Sequence, residues 1–195
     1  MRLYIVSRNQ GKIRELSYLS REHGIDLVPL DIPKVEVQSE SIQEVALYSA
    51  TVAYLTVRKP VIVEDSGLYI KKLKMFPGAL SSYVYKTIGI HGILKLMEGV
   101  RDRDAVFKSV IALAAPRVRG VKLFQGVVYG TISEEPRGTG GFGFDPIFIP
   151  SGYTKTFAEM SIEEKNKVSH RAKAFRGLAE WLIKNCGKLL CHDWK

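Results

Sequence analysis

The segment from Val61 to Ile70, VIVEDSGLYI, constrains the fold of this chain more than any other stretch. Pro60 precedes it and lacks a backbone donor, and the three β-branched residues that open the segment favour a buried strand. We expect the strand to end at Glu64 and Asp65, because the Ser-Gly pair that follows is typical of a break at which the backbone approaches a ligand closely. Side chains alternate along a strand, so the two carboxylates should point to opposite faces, and only one of them can face a given cleft. Such acids indicate either a functional site or ordinary loop residues.

The size and composition predict one globular domain. The chain has 195 residues, of which 46% are hydrophobic and 25% charged, values that suit a single core and argue against disorder. No apolar run approaches the length that spans a bilayer, and the first residues turn polar too soon for a signal peptide, so we expect a cytoplasmic protein with no membrane partner. Cys186 and Cys191 are interpreted as two reduced thiols. We place the domain at residues 1–185 and a C-terminal tail at 186–195.

The net charge predicts an anionic partner. The chain carries 29 basic and 20 acidic residues, a net charge of +9. Such an excess favours a nucleic acid, a membrane surface or a polyphosphate, and the charge alone does not distinguish them.

A second candidate site lies at the first junction of a strand and a helix. Residues 3–6 are apolar and predict a buried strand, and Ile13, Leu16 and Leu19 have the spacing of a helix that ends before Gly24. The free N–H groups and the positive dipole end of such a helix bind phosphates. Lys12 in the first turn opposes the dipole, which an anion would offset, although a solvated lysine is an equally good interpretation.

The remaining patterns predict a mixture of strands and helices, without the strict alternation of a doubly wound fold. The elements are a strand at 25–30, a helix from the S-x-x-E capping box at Ser41 to about Val57, a short helix through Ile90 and Met97, an antiparallel hairpin of 105–114 and 121–132, a helical turn after the capping box at Ser161, and a longer helix after Ser169.

Residues 138–146, GTGGFGFDP, form a glycine-rich segment with two phenylalanines. Phenylalanines separated by glycine suit neither a helix nor a packed strand. We interpret the segment as a flexible binding loop in which the rings stack on a base and Asp145 accepts hydrogen bonds. The alternative is a buried turn with its aromatic rings in the core.

The last predicted helix, like the first, has positive charge in its first turn. If Ser169 is its N-cap, His170 and Arg171 lie in the first turn, where positive charge is unfavourable without a nearby anion. A solvated basic face is the usual explanation, but the repetition favours a ligand.

Five segments, in order along nearly the whole chain, together resemble the inosine/xanthosine triphosphate pyrophosphatase family: Ser7-x-Asn9-x-x-Lys12, Glu64-Asp65-Ser66-Gly67-Leu68, Phe76-Pro77-Gly78, Gly141-Phe142-Gly143-Phe144-Asp145-Pro146 and Ser169-His170-Arg171. The resemblance implies hydrolysis of non-standard purine nucleoside triphosphates (ITP, dITP, XTP) to monophosphate and pyrophosphate. It also implies an α/β fold, a two-lobed single domain built on a long mixed β-sheet with a central cleft, in a Mg²⁺-dependent homodimer.

The resemblance also implies the roles of individual residues. Asp65 corresponds to the catalytic base and a metal ligand, Lys12 to a second catalytic residue, and Glu36 to the other metal ligand, with Glu40 as the alternative. Further contacts with the nucleotide are implied for Ser7, Arg8, Asn9, Gln10, Gly11, Lys12, Ser66, Phe142, Gly143, Phe144, Asp145, Lys165, His170 and Arg171.

The chain departs from the family pattern at two of these positions. Ser7 stands where many members have threonine, which keeps the hydroxyl. Phe144 replaces the more usual tyrosine, which keeps the ring but puts any hydrogen bond from that position in doubt.

Two other functions remain open at the level of the sequence. A module that binds single-stranded nucleic acid would explain the charge and the interleaved aromatic residues, but it gives Glu36, Glu64 and Asp65 no role unless a metal intervenes. A related pyrophosphatase for pyrimidine or modified nucleotides would use the same phosphate chemistry.

Overall fold

The computed structural model describes residues 1–189. Within them the chain forms seven β-strands and six α-helices: β1 (Arg2–Ile5), α1 (Gln10–Glu22), β2 (Asp26–Pro29), α2 (Ile42–Val57), β3 (Val61–Ile70), β4 (Pro77–Gly78), α3 (Ser81–Thr87), α4 (Gly89–Leu96), β5 (Asp104–Ala114), β6 (Lys122–Ile132), β7 (Phe148–Pro150), α5 (Ile162–Val168) and α6 (His170–Leu189).

All seven strands belong to one mixed sheet. Its order is β2-β1-β3-β5-β6-β7, and β4 pairs with β3 outside this path. Strand β1 is parallel to β2 and to β3, whereas β4 is antiparallel to β3 and β7 to β6. The backbone N–H of Ile132 at the end of β6 donates to the carbonyl of Arg103, just before β5, as expected for the predicted hairpin. The predicted α/β class with a long mixed sheet is confirmed.

The chain folds into two compact units, in agreement with the predicted two lobes. Unit 1 comprises Met1–Asp65, Ser109–Gly126 and the described chain from Arg171 onward, and unit 2 comprises Ser66–Lys108 and Val127–His170. The chain passes from one unit to the other within β3, β5 and β6 and at the start of α6.

Each unit has its own apolar core. In unit 1 the side chains of β1, β3, β5, α1 and α6 pack together, and Leu16 and Leu19 lie on the buried face of α1 that the helical spacing predicts. In unit 2 a second cluster joins the far ends of the same long strands to α3, α4 and the segments around Phe144 and Phe157. Burial of these side chains stabilises each unit at about 25 cal/mol for each Å² of apolar surface removed from water.

Strand β3 does not end at the two carboxylates, so that prediction is wrong. The strand continues through Ser66 and Gly67 to Ile70. A Cβ atom on Gly67 would lie 2.2 Å from the carbonyl oxygen of Gly78 in β4. The glycine therefore permits close approach of a neighbouring strand, and it does not break β3.

Two further features differ from the predicted elements. Helix α3 was not predicted, because its seven residues include two tyrosines, a valine and a threonine, which are weak helix formers. The last helix continues beyond residue 185 to Leu189 and contains Cys186, a free cysteine, whereas Cys191 lies outside the described residues.

The predicted helix starts are confirmed. Ser41 caps α2 by accepting from Glu44 N at 3.3 Å, and Ser161 and Glu164 form the reciprocal capping box of α5. Among residues 1–189 no helix is both long and apolar enough to cross a membrane.

Candidate functional site

In unit 1 the start of α1 faces a buried carboxylate. Asn9 caps the helix, its Oδ1 accepting from Lys12 N at 3.1 Å. The Lys12 ammonium lies 2.8 Å from Glu64 Oε2 and 3.4 Å from the backbone oxygen of the same residue. An internal carboxylate therefore offsets the unfavourable position of this lysine at the positive end of the helix dipole.

Glu64 also pairs with the cation at the start of α6. Its Oε1 accepts from Arg171 Nε at 3.2 Å and from the Ser109 hydroxyl at 2.6 Å. Arg171 is 2% exposed, and its Nη1 donates to Glu15 Oε2 at 2.5 Å. One buried acid thus explains both of the charges that the sequence placed unfavourably at helix starts, and the role predicted for Arg171 as a nucleotide contact stays a prediction.

Glu64 is an ionised carboxylate. Burial alone would raise its pKa, but the charges of Arg171 and Lys12, with hydrogen bonds from Lys12 and Ser109, hold the pKa well below its usual range. The group therefore carries a full negative charge at neutral pH.

Asp65 contacts a different cation, as strand alternation predicts. Lys34 lies in the irregular segment between β2 and α2, and its ammonium is 3.4 Å from Asp65 Oδ1 and also contacts Glu36 Oε1. Burial raises the pKa of Asp65 above its ordinary value, against the attraction of Lys12 and Lys34. Asp65 is therefore a stronger base than an ordinary aspartate.

Lys34 is held in its charged form. Burial would lower its pKa, but the charges of Asp65 and Glu36 and the hydrogen bond to Glu36 raise it. An ammonium thus lies between the two carboxylates that the resemblance implies as metal ligands.

The chemistry of this acidic pair suits a hard cation. Carboxylate oxygens are the ligands that Mg²⁺ prefers, and the ammonium of Lys34 shows that the pair attracts positive charge. Glu36 and the alternative Glu40 are both exposed, and Glu36 is the one that shares Lys34 with Asp65. Within residues 1–189 no group of three or more His, Cys, Asp or Glu side chains is arranged to hold a metal ion by itself.

In unit 2 the structure brings Asp145 and Lys165 together. Lys165 Nζ lies 2.5 Å from Asp145 Oδ2, and both side chains are buried. The same oxygen accepts from Phe142 N at 2.8 Å. The ammonium also lies 5.2 Å from the ring centroids of Phe142 and of Phe157, so aromatic faces enclose the ion pair.

The glycine-rich segment is a well-defined turn. Gly141 has a φ of 66°, and a Cβ atom there would lie 2.1 Å from Asp145 Oδ2. Phe144 is 3% exposed, and its ring meets that of Tyr85 edge to face at 5.5 Å. The interpretation as a flexible loop with both rings available is therefore wrong for Phe144, which belongs to the core, whereas Phe142 is half-buried.

His170 is also buried in unit 2. Its ring stacks on that of Phe107 with a centroid distance of 4.5 Å and an interplanar angle of 6°. The centroid of the Phe157 ring lies 6.2 Å from that of the His170 ring. The histidine thus belongs to the same aromatic cluster as Lys165.

The other predicted residues lie in two places. Ser7 accepts from Asn9 N at 3.2 Å, and Arg8, Gln10 and Gly11 lie beside it at the start of α1 in unit 1. Ser66 is half-buried in β3, and Gly143 lies in the glycine-rich turn, both in unit 2. Their contacts with a nucleotide stay predictions.

Four residues of unit 1 were not assigned from the sequence: Glu64, Glu15, Ser109 and Lys34. Glu64 adjoins Asp65 and so could be noticed, but Ser109 contacts it from 45 positions away along the chain, and Glu15 contacts Arg171 from 156 positions away, which no local pattern reveals. Lys34 was missed for the same reason, because its partner Asp65 lies 31 positions away along the chain.

Comparison with known proteins identifies the family. Residues 3–181 match the model of the Ham1 family. The chain belongs to the Ham1 family. The resemblance inferred from the five sequence segments is therefore confirmed.

Relatives within the Ham1 family are similar over nearly their whole length. A dITP/XTP pyrophosphatase of Hyperthermus butylicus is 53% identical over 180 residues, which are 92% of this chain and 94% of that protein. A dITP/XTP pyrophosphatase of Pyrococcus horikoshii is 50% identical over 185 residues, 95% and 98% of the two chains. The structure of a HAM1 protein from Coxiella burnetii superposes with a TM-score of 0.83 at 32% identity and covers 94% of this chain and 99% of that one.

Proposed function

We propose that the chain hydrolyses non-standard purine nucleoside triphosphates, namely ITP, dITP and XTP, to the nucleoside monophosphate and pyrophosphate. Two relatives at 53% and 50% identity are dITP/XTP pyrophosphatases. The observation that carries the proposal is the arrangement in unit 1, where Asp65, whose pKa is raised, directly follows the glutamate that holds Lys12 at the start of α1. A polyphosphate is the ligand that suits such a helix start.

Asp65 acts as the general base. It takes a proton from water, the water oxygen bonds to the α-phosphorus, and the bond from that phosphorus to the oxygen bridging the α and β phosphates breaks, which releases pyrophosphate. The raised pKa of Asp65 makes its carboxylate a stronger base than that of an ordinary aspartate. Lys12 stabilises the negative charge that develops on the phosphate oxygens, and its ammonium has three donors, of which Glu64 does not need all.

Glu36 and Asp65 hold a divalent cation, which we propose to be Mg²⁺. One or two carboxylates, with phosphate oxygens and water, are the usual protein share of a Mg²⁺ site. When bound, the ion neutralises part of the charge of the triphosphate.

The residues around the N-terminus of α1 bind the phosphates. Ser7, Arg8, Asn9, Gln10 and Gly11 supply backbone N–H groups and polar side chains at the positive end of the helix dipole. We also propose that the protein is cytoplasmic and that it forms a homodimer.

The aromatic cluster of unit 2 reads the base. Phe142 offers a partly exposed ring, and Lys165 and His170 offer donors to a 6-oxo group. A donor that faces the 6-amino group of adenine is left unpaired, and the resulting discrimination against adenine nucleotides can reach ~10⁴-fold.

Pyrophosphate release from a nucleotide panel tests the proposal. ITP, dITP and XTP should be hydrolysed much faster than ATP in the presence of Mg²⁺, and chelation of the ion should stop turnover. Equal rates for ITP and ATP would refute the selectivity. Binding of single-stranded oligonucleotides that weakens steeply with salt, without pyrophosphate release, would instead favour a nucleic-acid-binding module.

A further inference from the structure

We infer that Lys34 is a positioning residue of the metal site, which holds Glu36 and Asp65 together in the free protein and leaves them when a divalent cation binds. The inference rests on the proposed function, because the acidic pair is taken as the metal site. It concerns a residue to which the resemblance assigns no role.

The geometry shows one ammonium shared by two acids from distant parts of the chain. Lys34 Nζ contacts Glu36 Oε1 and lies 3.4 Å from Asp65 Oδ1. The Lys34 and Asp65 side chains are 17% and 13% exposed, whereas that of Glu36 is 53% exposed. The pair is therefore partly screened from solvent at its Asp65 end and open at its Glu36 end.

The ammonium and a divalent cation would compete for the same oxygens. A lysine is a compact point charge that donates to carboxylate lone pairs, and a metal ion needs those lone pairs as ligands. Two cations at one carboxylate pair also repel each other. The lysine must therefore move before both acids can ligate a metal ion.

The local structure allows this movement. Residues 33–39 belong to no helix or strand, and the lysine stem has four flexible carbons. Glu36 lies two positions after Lys34 on the same segment, so the lysine keeps this acid near Asp65 until the metal ion replaces it.

The consequence is that the lysine weakens metal binding while it stabilises the metal-free protein. Binding of the metal must first break the contacts of Lys34 with both acids. Removal of the lysine charge should tighten metal binding roughly tenfold, as for a change of about 1.4 kcal/mol. A residue that only supported the fold would instead weaken metal binding when it is lost.

A titration with Mn²⁺ alone, without nucleotide, tests the inference. The wild type, Lys34→Gln and Lys34→Arg are titrated at one pH and low ionic strength, and free Mn²⁺ is measured by electron paramagnetic resonance. Lys184→Gln, which removes an exposed lysine of α6 in the same unit, is the matched control. Glu36→Gln reports whether the ion binds at the acidic pair.

Lys34→Gln should bind Mn²⁺ roughly tenfold more tightly than the wild type, while Lys34→Arg and Lys184→Gln stay close to the wild type. Without metal, Lys34→Gln should melt at a lower temperature, and Mn²⁺ should raise its melting temperature more than that of the wild type. Equal or weaker binding by Lys34→Gln, or unchanged binding by Glu36→Gln, would overturn the inference. Because no nucleotide is present, this result is independent of whether the chain hydrolyses XTP.

Discussion

The two units bury charge in different ways. In unit 1 Glu64 pairs with both Lys12 and Arg171, and Arg171 also pairs with Glu15, so the two central charges of this network, Glu64 and Arg171, each have two charged partners. In unit 2 the ion pair of Lys165 and Asp145 is enclosed by aromatic rings.

The difference matches two kinds of ligand chemistry. A network of lysine, arginine and carboxylates can reorganise around added phosphate charge, because several partners share each change. An ion pair beneath aromatic faces suits a flat, nearly neutral base, which stacks on a ring and meets a few fixed donors. This difference supports the proposal that unit 1 handles the triphosphate and unit 2 recognises the base, each by its own side chains.

The largest expected effect is the loss of turnover when Asp65 of unit 1 is changed. Asp65→Asn removes the proposed base but keeps the size of the side chain, so kcat should fall by at least ~100-fold. The matched control is Asp31→Asn, an exposed aspartate of the same unit. Steady-state pyrophosphate release from XTP measures the effect, and near wild-type kcat in Asp65→Asn would remove this residue from the mechanism.

A second effect concerns the stability of unit 2. Lys165→Met leaves the buried carboxylate of Asp145 without its ion-pair partner, which should lower the free energy of unfolding by about 3 kcal/mol. Lys167→Met, an exposed lysine of the same helix, should change it by less than about 0.5 kcal/mol.

Chemical denaturation of Lys165→Met, Asp145→Asn, the double variant Lys165→Met/Asp145→Asn and the control Lys167→Met measures these losses and the coupling between the two residues. The double variant should be more stable than the sum of the single losses predicts, because the two residues interact directly. Additive losses would show that the pair does not act as a unit.

The smallest effect is a pH-dependent loss of stability in unit 1. Because the folded pKa of Glu64 is lowered, its ionised form stabilises the fold above the ordinary glutamate range, and this contribution is lost as the pH falls through the folded pKa. Glu64→Gln keeps hydrogen-bonding atoms but removes the charge, so it should cost about 2 kcal/mol at pH 7.

Denaturation of the wild type and Glu64→Gln across a pH series measures this contribution. The difference in unfolding free energy should be constant above the ordinary glutamate pKa of about 4.3 and should shrink in strong acid. The exposed Glu163→Gln provides the control. A difference that grows in acid would contradict the charge network.

Local patterns predicted much of the fold. Two helix starts could be predicted because Ser41 and Ser161 are each followed three positions later by glutamate. The hairpin could be predicted from two runs rich in β-branched residues. The continuation of β3 could not be predicted from the sequence. Glycine is needed at position 67 because the backbone of β4 packs against it, and this contact forms only in the folded chain.

The candidate site was predicted less completely, for a physical reason. The charges of Lys12 and Arg171 at helix starts were detected from the sequence, but their internal partner Glu64 was not, since strand alternation says where a side chain points and nothing about what meets it. Phe144 shows the same limit, because a phenylalanine beside glycines has the same sequence pattern in an open loop and in a core turn.

The products formed from XTP test the central claim most directly. Phosphorus-31 nuclear magnetic resonance of XTP incubated with the protein and Mg²⁺ should show pyrophosphate and xanthosine monophosphate appearing in equal amounts. Orthophosphate with xanthosine diphosphate, or an unchanged spectrum, would contradict the account.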